Sequence, residues 1–265
     1  MKKLPDSKYF QYFSHLYHKQ SLIPFNEYIP IDNWDYPKEE KFRFEKLFLS
    51  DIGLKYIENS NILDLGCHCG YLSFISKHLG AKSVHGVNVR EFSIEVANYV
   101  FDSLGIEKSQ YQFDVGDIEN PNLIEKSCQG KDTVILTDVI DHLKNPYGIL
   151  ENITKSKVKN IIFQCALSPD VGYPALQYYK QDPDSNFAGF GSVGAYPNTK
   201  WLDLIFYDLG WKIEEYTVVP SIFQKDWFAI PNLKKFTPAL TDKAFILATK
   251  FNKLDYISKN NYENV

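Results

Sequence analysis

Ile62-Leu63-Asp64-Leu65-Gly66-Cys67-His68-Cys69-Gly70 is the stretch whose reading decides the fold. It runs as an apolar strand ending in an acidic residue, followed by two glycines four apart that open a helix. A strand-to-helix turn needs glycine where the backbone bends sharply or lets a ligand approach closely, and a helix N-terminus favours an anionic group. The dinucleotide fingerprint G-x-G-x-x-G is absent. His68 occupies the place of its second glycine and nothing restores the spacing, so NAD is disfavoured.

Working outward, short apolar runs alternate with helical periods from residue 60 onward, which is the signature of βαβ units and a parallel sheet. The pattern predicts strands at Asn61–Gly66, Ser83–Asn88, Gln110–Val115, Thr133–Asp138, Asn160–Cys165, Lys212–Val218 and Ala244–Lys250. It predicts helices at Gly70–Leu79, Glu91–Leu104, Asn122–Ser127, Pro146–Ser156 and Asn198–Leu209, with Gly80, Gly105 and Gly210 just past three helix ends. Residues 1–58 carry four prolines and two amphipathic helical patterns, Ser7–Gln20 and Lys38–Glu58, and read as an N-terminal helical extension. An α/β domain over 59–252 follows, with aromatic loop insertions at 166–197 and 219–242, then a tail at 253–265. Both insertions exceed ordinary loop lengths, so they are expected to cover a substrate or to hold a satellite core.

The 265 residues suffice for one large domain, and 44% apolar with 23% charged residues excludes disordered and fibrous classes. A net charge of −4 argues against a general nucleic-acid or anionic-membrane binder. Four cysteines are too few for a disulfide framework, and the first ten residues have no apolar segment behind Lys2 and Lys3, so a cytoplasmic protein is expected. No run approaches the length that spans a bilayer. Cys67, His68 and Cys69 are consecutive and do not converge easily on one ion, so no metal site is expected. Aromatic residues are skewed, with 12 in residues 1–50, 9 in 51–160 and 20 in 161–265. Strands buried on both faces call for aliphatic residues, so the middle of the chain is expected to build the sheet and the flanks its cover.

D-x-G-x-x-x-G after the first strand resembles motif I of the class I S-adenosylmethionine-dependent methyltransferases. Five further stretches resemble the family in order. Val84-His85-Gly86-Val87-Asn88 matches the second strand, Phe113-Asp114-Val115-Gly116-Asp117-Ile118 the third, and Leu136 to Pro146 the V-L-x-H-x-x-x-P segment. The run from Pro197 to Lys212 resembles the helix that ends in G-[FW]. Asp242 to Lys250 is similar to its closing strand. The resemblance implies an α/β, Rossmann-like seven-stranded sheet of order 3-2-1-4-5-7-6, with the last strand antiparallel. It implies S-adenosyl-L-methionine as cofactor and methylation of an oxygen or nitrogen on a small or sugar-like acceptor.

Within that resemblance Asp64 and Gly66 would hold the amino-acid end of the cofactor, Asp64 alternatively capping the turn, with Cys67 and Gly70 also in the cofactor-binding turn and Gly70 packing in either case. Asn88 stands where the family has an acid for the ribose, and Glu91 is an alternative. Asp117 is placed near the adenine with Ile118 packing on the ring, Asp114 competing and a plain turn role open. Asp138 would border the cofactor and, with His142, serve catalysis, His142 as general base or as a brace of the loop, oriented by Asp138 or Asp141. Trp34, Tyr36 and the tyrosine-rich segment 172–196 are acceptor-side candidates. Two alternatives are a tRNA-modifying carboxymethyl transferase, in which Arg90 would pair with the carboxylate of a carboxylated S-adenosylmethionine, and a non-catalytic binding module. The pattern leaves oligomeric state and acceptor identity open.

Overall fold

A computed structural model describes residues 44–181, 193–219 and 242–251. The helix expected at Ser7–Gln20, Trp34, Tyr36, the loop stretches 182–192 and 220–241 and the tail from 252 lie outside the described residues.

The strands are β1 (Asn61–Leu65), β2 (Ser83–Asn88), β3 (Tyr111–Val115), β4 (Thr133–Thr137), β5 (Asn160–Ala166), β6 (Leu176–Lys180), β7 (Val193–Pro197), β8 (Trp211–Val219) and β9 (Lys243–Lys250). The helices are α1 (Asp51–Ile57), α2 (Tyr71–His78), α3 (Glu91–Ser103), α4 (Pro121–Ser127), α5 (Pro146–Lys155) and α6 (Thr199–Asp208). Seven strands form one sheet in the order β3-β2-β1-β4-β5-β9-β8. β1 to β5 pair in parallel, and β9 runs antiparallel to both β5 and β8. With the separate hairpin β6–β7 set aside, this is the expected order, closing strand included.

Alternation along the strands divides the core into two layers. Ile62, Val84, Ile135, Ile162 and Leu247 face α1, α2 and α3, whereas Leu63, Leu65, Val134, Leu136 and Phe163 face α4, α5 and α6. Each such side chain, fully buried, contributes about 1.5–3 kcal/mol, and a one-residue slip would exchange the two sets, so the register is strongly specified. Gly86 in mid-β2 belongs to this packing: a Cβ there would stand 2.5 Å from the Phe113 ring and 2.8 Å from Cys67 Sγ.

Two expectations need correction. The single helix expected over Lys38–Glu58 is, in its described part, a π-helical turn at Phe44–Phe48 and then α1. Ser50 separates them by accepting from the Gly53 N–H at 3.1 Å, the hydrogen bond of a helix N-cap. The connection after β5, expected as a loop, contains the hairpin β6–β7. β6 is Leu-Gln-Tyr-Tyr-Lys and mostly exposed, so it carries no alternation by which a strand is recognised.

Candidate functional site

The parallel strands all end at one edge, and each loop there hangs from the last carbonyls of its neighbour. Gly66 and Cys67 N–H both donate to Val87 O, Gly116 N–H to Asn88 O, and Asp138 N–H to Gln164 O. Open α/β sheets bind ligands at this edge. In the β1–α2 turn, Gly66, His68 and Gly70 all have positive φ, at 75°, 50° and 81°. A Cβ on Gly66 would lie 2.4 Å from Val139 Cγ2, so glycine is required there twice over. His68 takes the left-handed conformation that the missing glycine would have taken, and histidine is among the side chains that tolerate it best. Its ring nitrogens are buried. Burial and the nearby Arg90 charge hold the imidazole down at about 4, so it is neutral at pH 7.

Asp64 lies beneath this turn, 2% exposed, and accepts from Ser73 Oγ at 2.7 Å. Burial raises its carboxyl to about 6, against the lowering effect of the Ser73 hydrogen bonds. Cys67 is buried beside it, which pushes the thiol well up. The Asp64 carboxylate therefore ties β1 to α2 and places a buried negative charge next to the left-handed turn.

Asn88 ends β2 with its Oδ1 accepting from the Arg90 N–H at 3.2 Å. Glu91 is exposed at the start of α3. Asp114 is committed elsewhere, to Gln112 Nε2 at 2.6 Å and His85 Nε2 at 2.9 Å. Asp117 accepts from the Glu119 N–H at 2.9 Å, the hydrogen bond of an Asx turn. Ile118 is buried against the α4–α6 layer.

After β4, Asp138 sits at φ 52° with its carboxylate forked by Gln164 Nε2 (3.0 and 3.1 Å) and Lys243 Nζ (3.0 Å). It is thus bound to β5 and β9. Asp141 is the carboxylate that meets His142, at 3.9 Å from Nε2. Burial pushes the Asp141 carboxyl up, while His142 and Lys243 pull it down. The hairpin supplies the rest: Tyr179 OH donates to Asp141 O at 2.9 Å, Gln181 Nε2 donates to His142 O at 2.9 Å, and Gln181 Oε1 stands 3.3 Å from His142 Nδ1. Tyr179 stacks on Tyr196 with centroids 4.3 Å apart. Gln164, Lys243 and Gln181 escaped the sequence reading, although a glutamine inside the apolar run Ile-Ile-Phe-Gln-Cys is a signal that a buried polar partner exists.

Residues 57–174 match a family model described as a methyltransferase domain. An uncharacterized protein of Methanocaldococcus jannaschii is 36% identical over 90 residues, 34% of this chain and 39% of the relative, so the matched stretch spans about two-fifths of that protein's length. Among solved structures, the N-terminal domain of EvdMO1 with SAH bound superposes at a TM-score of 0.55 and 13% identity, covering 83% of this chain and 82% of that one. The magnesium protoporphyrin IX methyltransferase of Synechocystis PCC 6803 with bound SAM gives 0.53 and 15%, covering 92% of each chain. The [4+2]-cyclase SpnF gives 0.54 and 12% over 81% of each, so the same fold also supports a chemistry other than methyl transfer. At such identities the structural likeness speaks for the fold.

Proposed function

We propose that the chain is a class I S-adenosylmethionine-dependent methyltransferase that transfers a methyl group from S-adenosylmethionine to an oxygen or nitrogen of a small or sugar-like acceptor. The observation that carries this reading is the β1–α2 turn, with three left-handed residues set over a buried carboxylate at the carboxyl edge of the sheet. Those residues fit the cofactor. The left-handed Gly66–Gly70 backbone runs beside the buried Asp64 carboxylate, and Asn88, whose Oδ1 accepts from the Arg90 N–H, has an Nδ2 amide group to offer a ribose hydroxyl.

S-adenosylmethionine supplies an electrophilic methyl carbon on a sulfonium. Asp64 places negative charge beneath the turn, favouring the cationic amino-acid end. Asn88 orients the ribose with a neutral amide, a weaker hold than a carboxylate gives. The stacked Tyr179 and Tyr196 border the turn that carries His142, which supports an acceptor with an apolar or sugar face on that side. His142 takes the proton that a hydroxyl or amine must lose as it is methylated. Alignment of the nucleophile with the methyl carbon supplies a further part of the rate without any acid or base.

Incubation with methyl-labelled S-adenosylmethionine and a cell extract, later separated into small molecules and RNA, tests the reading. Label is expected in the small-molecule fraction. Label in RNA would overturn the acceptor assignment, and label in neither fraction would overturn the enzyme reading.

A further inference from the structure

Gln181, beyond the end of β6, makes two hydrogen-bond contacts with one residue of another loop. Its Nε2 donates to His142 O at 2.9 Å and its Oε1 lies 3.3 Å from His142 Nδ1. A carbonyl only accepts, so the NH2 of the amide must face it, and the amide oxygen therefore faces the ring. An oxygen there requires hydrogen on Nδ1. The neutral ring then carries its lone pair on Nε2.

We propose that Gln181 is a positioning residue for methyl transfer, locking His142 in the Nδ1–H tautomer so that Nε2 accepts the proton of the nucleophile. This rests on the methyltransferase reading. The lock is built into the fold. Gln181 is 4% exposed, and a Cβ on Gly194 would stand 2.4 Å from its Nε2 and 2.3 Å from Asp141 O, so glycine on β7 makes room for it. Asp141 Oδ2, at 3.9 Å from Nε2, is too far to take a hydrogen bond but near enough to stabilise an imidazolium. Asp141 Oδ1 has no donor among the described residues. Around this turn stand Asp138 from the same loop, Cys165 from β5, Tyr179 from β6, Tyr196 from β7 and Lys243 from β9. Lys243 and Gln164 occupy Asp138, which leaves Asp141 as the carboxylate facing the ring.

The step balances. The O–H or N–H bond of the acceptor breaks and its proton passes to Nε2. The freed electron pair forms the bond to the methyl carbon while the C–S pair stays on sulfur. One positive charge thus moves from the sulfonium to the imidazolium beside Asp141.

The tautomer is read directly by two-bond 15N–1H correlation spectra of the full chain, at a pH where imidazole is neutral, with His142 assigned by its disappearance in His142→Gln. The wild type is expected to show hydrogen on Nδ1. Gln181→Met is expected to move it to Nε2, toward Asp141, and Gln181→Glu, whose carboxylate still accepts from Nδ1, is expected to keep it. Hydrogen on Nε2 in the wild type, or an unchanged tautomer in a folded Gln181→Met, would overturn the proposal. Should that variant not fold, the wild-type and Gln181→Glu spectra decide alone. A parallel calorimetric titration with S-adenosylhomocysteine separates the two failures. Heat with an Nε2–H ring sinks the lock alone, and no heat with an Nδ1–H ring sinks the methyltransferase reading alone.

Discussion

Replacing Asp64 by Asn is expected to make the protein more stable and its cofactor site worse. The carboxyl is raised from 3.8 to about 6, chiefly by burial, with Ser73 as its hydrogen-bonding partner. A carboxyl whose folded-state pKa stands above its unfolded value stabilises the fold while protonated. That contribution is complete below about pH 4 and is lost as pH rises through about 6. The two-unit difference corresponds to about 3 kcal/mol, the cost at pH 7 of holding an ionised Asp64 in the core. The amide of Asn mimics the protonated acid and still accepts from Ser73 Oγ. Asp64→Asn should therefore match the wild type near pH 4 and exceed it by about 1–3 kcal/mol at pH 7. Urea unfolding followed by tryptophan fluorescence at a series of pH values isolates the difference. Calorimetry on the same variant should show S-adenosylmethionine binding weakened at least about tenfold, since the negative charge under the turn is gone. Parallel stability curves, or a variant less stable at every pH, would refute the reasoning and leave Asp64 as an ordinary anchor.

Three further outcomes follow from the same geometry. Gly66→Ala combines a left-handed φ with a Cβ 2.4 Å from Val139 and should cost at least about 2 kcal/mol, read as a fall in Tm. Asn88→Asp keeps the acceptor for the Arg90 N–H and adds charge toward a ribose, so S-adenosylhomocysteine should bind about tenfold more tightly by calorimetry. Lys243→Met removes the cation that stands 3.0 Å from the partly buried Asp138 carboxylate. Combined with Asp138→Asn in a double-mutant cycle on urea unfolding, it should give a coupling of about 1–3 kcal/mol that salt reduces only slightly.

The central sheet was legible because its strands are aliphatic and bounded by turn residues. β2 falls on Ser83–Asn88 as expected, and β1 and β4 differ by one residue at their ends. Ser50-Asp51, an N-cap followed by an acid, was the available sign that the second N-terminal helix begins afresh there. β6 was not legible, since an exposed tyrosine-rich strand has no buried face to impose a period. The site divides in the same way. Asp138 and His142 stand out by following a strand at the carboxyl edge. Their partners reach them from 26 residues away for Gln164, 39 for Gln181 and 105 for Lys243, distances at which only the tertiary fold decides what touches what.

The central claim is that the β1–α2 turn, for all its missing glycine, cradles S-adenosylmethionine. Isothermal titration of the full chain with S-adenosylmethionine and with S-adenosylhomocysteine measures this directly. Saturable heat from both ligands at one equivalent per chain, abolished in a folded variant carrying a bulky residue at Gly70, is the result predicted. No heat from either ligand with a folded protein would contradict it.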